Sequence, residues 1–253
     1  MLTEERRSKI VEVLNDKGRV EVKELSKRFR TSEVTIRHDL QQLHNRGLVL
    51  RSHGGALRPE SAMAESPLKE RLRSHPDEKR RIGECAAGLV REGETVILDS
   101  GSTTHSIARY LRGKQGLKVI TNGVNISMEL LGARGIQLIQ LGGVLREDSV
   151  SVVGHFAEEM LAQFSADKVF IGAFACHPEF GLSAPNPDEA RVNQAMMKIA
   201  REKILVADSS KFAKSSLIRV APLTSINTVV TDRGLPDSFA EKLREMGIQL
   251  LLV

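Results

Sequence analysis

Two sets of residues have the types and spacing to do chemistry. The first is Ser32-Glu33-Val34-Thr35-Ile36-Arg37-His38-Asp39-Leu40-Gln41. An arginine can bridge guanine O6 and N7, a glutamine can pair with adenine, and a valine can touch a thymine methyl. Arg37, Gln41 and Val34 supply these groups, and His38 lies beside them. Ser32, Thr35 and free first-turn N–H groups can hold phosphates. The second set recurs after short apolar runs: Asp99-Ser100-Gly101-Ser102-Thr103-Thr104, Thr121-Asn122-Gly123, Gly142-Gly143 and Asp208-Ser209-Ser210-Lys211. A loop of small residues entering a helix offers backbone N–H groups and hydroxyls to an anion. Lys211 adds a positive charge, and Asp99 and Asp208 can accept hydrogen bonds from sugar hydroxyls. Glycine and serine are also ordinary turn formers, so the weight lies in their recurrence.

The elements around the first set read as a small helical unit. Residues 3–17 have helical apolar spacing and stop at Gly18. Arg19 to Val22 alternates. Val22, Leu25 and Phe29 mark a second helix. Ser32 is a good N-cap for a third helix running to about Asn45. Projected at 100° per residue, Ile36, Leu40 and Leu43 share one face, while Val34, His38, Gln41 and Asn45 take the other, flanked by Thr35 and Arg37. Residues 48–58 read as two strands around a glycine turn. Three helices and a hairpin make a winged helix-turn-helix, with a basic wing from Arg51 to Arg58 against the DNA backbone or minor groove. Charge agrees with this. Of 37 Lys+Arg and 32 Asp+Glu, residues 1–58 hold 13 and 8, so the whole net charge of +5 lies in that stretch.

Residues 59–76 carry Pro59, Pro67 and Pro76 among mixed charges and read as a solvated hinge with a short helix. From Asp77 onward helices alternate with apolar strands at 95–98, 117–121, 136–141, 168–173, 203–207, 226–231 and 248–253. That pattern implies an open, mainly parallel α/β sheet covered on both faces. Ligands bind beyond the carboxyl ends of such strands, which is where the second set falls. No Gly-x-Gly-x-x-Gly, Walker A or Gly-x-Ser-x-Gly motif is present. His105, His155, His177 and Cys176 lack metal-ligand spacing. No cofactor, no metal and no catalytic residue is expected. Cys85 and Cys176 cannot frame a disulfide scaffold, and Cys85 falls on the apolar face of a helix as a core thiol. The charged start, Met1 to Ile10, has no apolar h-region, and no run approaches the roughly 20 residues of a membrane helix. A cytoplasmic protein without a membrane partner is the expectation.

Ser32 to Leu40, Gly47-Leu48 and His53-Gly54-Gly55-Ala56 resemble the signature of the DeoR family of bacterial transcriptional repressors. The basic wing gives Arg51, and the resemblance adds His53, to the DNA-binding set. Relatives commonly carry glycine where Arg30 stands and arginine where His38 stands. Ser66 to Arg71 and Glu78 to Ile82 resemble the family's linker, and the second set resembles its effector-domain motifs. This implies a domain related to sugar-phosphate isomerases such as ribose-5-phosphate isomerase, which binds a phosphorylated sugar without turning it over. Asp188-Glu189-Ala190-Arg191-Val192-Asn193 is similar to the branch that regulates N-acetylgalactosamine and galactosamine catabolism, which adds Glu189 to the effector residues. Many relatives have lysine at Asn193 and aspartate at Phe174.

The sequence therefore predicts a DNA-binding domain at 1–58, a linker at 59–76 and an effector-sensing domain at 77–253. The expected partners are double-stranded operator DNA, a phosphorylated sugar effector and further copies of the chain, as a dimer or tetramer. One rival is a sugar-phosphate isomerase whose N-terminal unit dimerises, with Asp99, Glu189 and Lys211 as acid-base groups. Another is an activator that needs its ligand to bind DNA.

Overall fold

Residues 3–17, 19–45, 48–52, 54–57 and 67–253 are described by the computed structural model and fall into two units, Met1–Glu65 and Ser66–Val253. The first runs α1 (Thr3–Lys17), β1 (Arg19–Glu21), α2 (Val22–Phe29), α3 (Glu33–Asn45), β2 (Leu50–Ser52) and β3 (Gly55–Leu57). Its strands form an antiparallel sheet in the order β1-β3-β2, so the expected hairpin gains the Arg19–Glu21 strand as a third member. The core gathers Ile10, Leu14, Val20, Leu25, Ile36, Leu40 and Leu43, all essentially inaccessible to solvent. Each buried aliphatic of this size contributes about 1.5–3 kcal/mol.

The second unit opens with α4 (Leu68–Arg73) and α5 (Pro76–Gly88), followed by β4 (Thr95–Leu98), α6 (Ser102–Leu111), β5 (Leu117–Thr121), α7 (Val124–Leu130) and β6 (Ile136–Gln140). A hairpin of β7 (Val144–Arg146) and β8 (Ser151–Val153) leads to α8 (His155–Leu161), β9 (Ala166–Ile171), β10 (Ala175–His177), β11 (Gly181–Ala184) and α9 (Pro187–Ile199). The chain ends through β12 (Ala200–Val206), β13 (Ile218–Ala221), β14 (Thr228–Thr231), α10 (Asp237–Glu245) and β15 (Gln249–Leu252).

The seven expected strands are the seven of one sheet, in the order β15-β14-β12-β9-β4-β5-β6, and every pair in it is parallel. Alternation along β4 shows why it is apolar throughout. Val96 and Leu98 belong to the buried cluster that holds Ile82, Ile107 and Leu111 of α5 and α6, while Ile97 belongs to the cluster on the opposite face, with Leu161, Val192 and Leu243. Strands buried on both faces read as continuous apolar runs. The order also fixes a topological switch point: the chain moves outward from β4 to β5 and β6, then returns to place β9 on β4's other side. The antiparallel sheet β10-β11-β13 was not expected from sequence; its strands are three or four residues long.

The boundary between the units differs from the expectation. The 59–76 segment is not a solvated connector throughout, because α4 is docked on the second unit. Leu68 is buried, and its N–H donates to the Asp148 carbonyl at 2.7 Å. Residues 58–66 lie outside the described residues.

Candidate functional site

In the first unit α3 presents the expected chemistry. Ser32 caps it, its Oγ accepting from the Thr35 N–H at 3.1 Å and lying 2.8 Å from Thr35 Oγ1. Ile36, Leu40 and Leu43 are buried, whereas Val34 is 76% exposed, and Arg37 and His38 are exposed with it. Thr35 and Gln41 are half-buried on the flank. An unsupported valine at such exposure is costly in water and apt for an apolar contact with a partner. Arg37 Nη2 donates to Glu33 Oε2 at 3.1 Å, one turn earlier. His53 and the Arg51 side chain lie outside the described residues. The glycine pair serves the wing sheet itself: a Cβ on Gly55 would stand 2.0 Å from the Val20 carbonyl oxygen.

A feature missed from sequence holds this face in place. Asp39, 1% exposed, accepts from Arg6 Nε at 2.6 Å and from Arg7 Nε at 2.9 Å, tying α3 to α1. Its position on the buried flank of α3, with two arginines in a helix that must pack against it, was the available signal.

In the second unit the carboxyl ends of β4, β5, β6 and β12 bring the other set to one edge. The 99–104 loop sits at the switch point. Asp99, 4% exposed, accepts from the Gly172 N–H at 3.0 Å through Oδ2, bridging the ends of β4 and β9. Gly101 precedes α6 with φ 147°, a backbone conformation that favours glycine. No side chain caps α6, which leaves the first-turn N–H groups of Ser102, Thr103 and Thr104 without a side-chain cap. Asn122 fastens the next strand end: its Oδ1 accepts from the Ser100 N–H at 2.9 Å and its Nδ2 donates to the Val152 carbonyl at 3.2 Å. Thr121 Oγ1 accepts from the Gly123 N–H at 3.0 Å. Gly142 and Gly143 are exposed and start the β7–β8 hairpin rather than lining the loop.

That hairpin carries a cation missed from sequence. Arg146 Nε lies 3.2 Å from Glu189 Oε1 and 3.4 Å from Ser149 Oγ, which is 2.7 Å from Ser151 Oγ. Ser151 in turn bridges to Gly123. Glu189 is thus brought to the wall of the cluster, in the first turn of α9, where Asn186 Oδ1 caps the Asp188 and Glu189 N–H groups. An arginine three residues past a glycine pair at a strand end was the readable signal.

On the other side of the switch point, Asp208 is 1% exposed; its Oδ1 accepts from the N–H and hydroxyl of Ser210. Lys211 follows in the same short helical turn. At the end of β14, Asp232 accepts from the Ser209 N–H at 2.6 Å and the Gly234 N–H at 2.9 Å. Burial pushes the Asp232 carboxyl up, but these bonds outweigh it and hold the group below the usual carboxylate range. Among the described residues, four buried polar atoms at this edge have no hydrogen-bond partner: Thr104 Oγ1, Asn125 Oδ1, Asp208 Oδ2 and Thr231 Oγ1. Asn125 and Thr231 were also missed from sequence, since nothing in their spacing marks them.

Burial raises both thiols, Cys176 to about 12, and so disfavours their thiolate forms. Among the described residues no group of three or more His, Cys, Asp or Glu is placed to hold a metal ion, and no helix is long and apolar enough to cross a membrane.

Comparison with known proteins agrees with this two-part arrangement. Residues 6–62 match the DeoR-like helix-turn-helix domain and residues 74–233 match the DeoR C-terminal sensor domain. The chain is 39% identical to a protein of Escherichia coli O157:H7 named as an aga operon transcriptional repressor, over 99% of this chain and 94% of that one. It is 30% identical to the glycerol-3-phosphate regulon repressor of Escherichia coli K12, over 98% of each chain. Among solved structures, a ribose 5-phosphate isomerase of Methanocaldococcus jannaschii matches over 56% of each chain, with 20% identity and a TM-score of 0.42. The two family models and the two repressors set aside the isomerase reading of the whole chain. An exposed reading helix on a winged unit, joined to a sensor domain, makes this chain a member of the DeoR family of DNA-binding transcriptional regulators.

Proposed function

We propose that this regulator represses a sugar catabolic operon, amino sugars included in its candidate range, and that a phosphorylated sugar releases it. The names of the two repressors above support the sign and the ligand class. Arg37, Gln41, Val34 and His38 read base edges. Ser32, Thr35 and the wing residues Arg51 and His53 hold the backbone. Two copies, at least, place two α3 helices on half-sites one or more helical turns apart. The protein acts in the cytoplasm, where operator DNA is.

One observation carries the effector reading: four buried, unpartnered polar atoms line the same strand edge as an uncapped helix N-terminus. A buried polar group left unsatisfied costs about 1–3 kcal/mol. A ligand with several hydroxyls and one anionic group matches that edge. Its phosphate takes the first-turn N–H groups of α6, within reach of Lys211, and its hydroxyls take Asp99, Asp208 and Thr104. Gly123 and, through Arg146, Glu189 border the same space, and Gly142-Gly143 start the hairpin that carries Arg146. Release then follows from linkage. A ligand that favours the conformation unsuited to DNA lowers operator affinity by its differential affinity for the two states.

The test is Lys211→Ala and Asp99→Ala. Both variants should bind operator as the wild type does and lose release by sugar phosphates, read by fluorescence anisotropy of labelled operator. A response equal to wild type removes these residues from the site.

A further inference from the structure

The element that follows the DNA-binding unit in the chain, α4, contributes no strand and no effector residue. Its supports are nevertheless specific. Leu68 N–H donates to Asp148 O at 2.7 Å, in the turn between Arg146 and Ser149. The helix also packs on α6, whose first turn forms the anion cradle. Finally, the ammonium of Lys79, on α5, donates to the Arg71 and Ser74 carbonyls at 2.6 and 2.5 Å. These carbonyls end α4, where a helix leaves acceptors unsatisfied and where a positive charge is favoured.

Lys79 is an unusual support. It is 4% exposed, and lysine is almost never fully buried unless paired. The groups whose charges act on it are Asp208, Lys211, Arg71 and Glu78. Two of these, Asp208 and Lys211, belong to the β12 loop of the effector edge, and Asp208 Oδ2 is one of the buried atoms without a partner. Burial, with Lys211 and Arg71 adding to it against the pull of Asp208, lowers the Lys79 pKa to about 8. Geometry agrees: α5, which carries Lys79 near its N-terminus, packs on β12 and β14, whose carboxyl ends bear Lys211 and Asp232, so a charge introduced beside Lys211 acts on the group that holds α4.

We infer that Lys79 is a positioning residue that transmits effector occupancy to α4. The inference rests on the sugar-phosphate reading above. An anion seated beside Lys211 offsets the repulsion Lys211 exerts on the Lys79 ammonium. The charge-assisted bonds to Arg71 O and Ser74 O strengthen, and the last turn of α4 is clasped more firmly. The other two supports of α4 lead to the Arg146 hairpin and to α6, both of which border the proposed effector edge. The two states that the effector distinguishes are α4 clasped and α4 released, and α4 lies directly along the chain from the operator-reading unit.

The experiment uses the full chain as wild type, Lys79→Met and Lys79→Arg, with glycerol 3-phosphate and inorganic phosphate as probes. Calorimetry reads probe binding, hydrogen exchange reads the amides of residues 68–74, and anisotropy reads operator affinity. In the wild type, bound probe should slow exchange in α4 and weaken operator binding, each by about tenfold or more. Lys79→Met should still bind probe and operator but lose both responses, and Lys79→Arg, which keeps the donors, should recover them. A merely structural role would not give a probe-dependent difference that arginine restores. Equal responses in Lys79→Met and wild type overturn the inference alone. So does wild-type α4 exchange that ignores a bound probe, a readout that needs no variant to fold. Absence of any probe binding to the wild type instead overturns the effector reading, and the transmission with it.

Discussion

The two units place their chemistry in opposite ways. On α3 the working side chains stand exposed on a helix whose other face is core, so one element carries the whole reading surface. At the edge we propose for the effector, Asp99, Thr104, Asn122, Asp208 and Thr231 are buried, and no single element carries them. The first arrangement meets a large rigid polyanion from outside. The second, on the reading proposed above, takes a small ligand in surroundings where each hydrogen bond counts for more than in water. Substitutions in the first unit should therefore change affinity for DNA without touching ligand binding, and those in the second should do the reverse.

The largest expected departure is at Asp39. Removing a buried carboxylate that holds two arginines strands their charge, and such breaks cost about 3–5 kcal/mol. Asp39→Ala should lower the melting of the first unit and abolish operator binding, while calorimetric effector binding by the second unit persists. If the sensor lost its ligand as well, the independence of the two sites would be broken.

Next come the base contacts. Arg37→Ala and Gln41→Ala should each weaken operator binding by about 1–3 kcal/mol, with relaxed discrimination at the base pair concerned and an unchanged melting profile. Operator affinity unaltered by both would mean that another face of the unit reads DNA.

The smallest effect sharpens the local account. Arg30 ends α2 with φ 48° and ψ 51°, in the left-handed region. That conformation costs a non-glycine residue roughly 1–2 kcal/mol, partly offset by glycine's greater freedom when unfolded. Arg30→Gly should stabilise the first unit by about 0.5–1 kcal/mol in thermal or denaturant unfolding. The turn thus asks for a left-handed backbone, which glycine adopts freely and which this chain meets with Arg30 under strain.

How far the sequence could be read follows the same division. The α3 face was legible because one period decides it: Ile36, Leu40 and Leu43 inward, Val34, Arg37 and His38 outward. The seven parallel strands were legible because burial on both faces makes each a continuous apolar run. Their carboxyl ends could be placed on one edge because parallel strands all point the same way. What escaped depends on distant partners. Lys79 reads in sequence as one more charge on an amphipathic helix; only the fold sets its ammonium against the end of α4. Arg146 and Glu189 are 43 positions apart in sequence and meet through a hairpin whose strands are three residues each. The docking of α4 was hidden for the same reason, since Leu68 finds its neighbours far along the chain.

The central claim is that occupancy of the sensor edge lowers the grip of α3 on operator DNA. Titration of labelled operator duplex with the full-length protein, with and without a phosphorylated sugar shown by calorimetry to be bound, tests it directly. The account predicts operator affinity weaker by about tenfold or more with the ligand present, and no change with the unphosphorylated sugar at the same concentration. Unchanged operator affinity with the sugar phosphate demonstrably bound would contradict it.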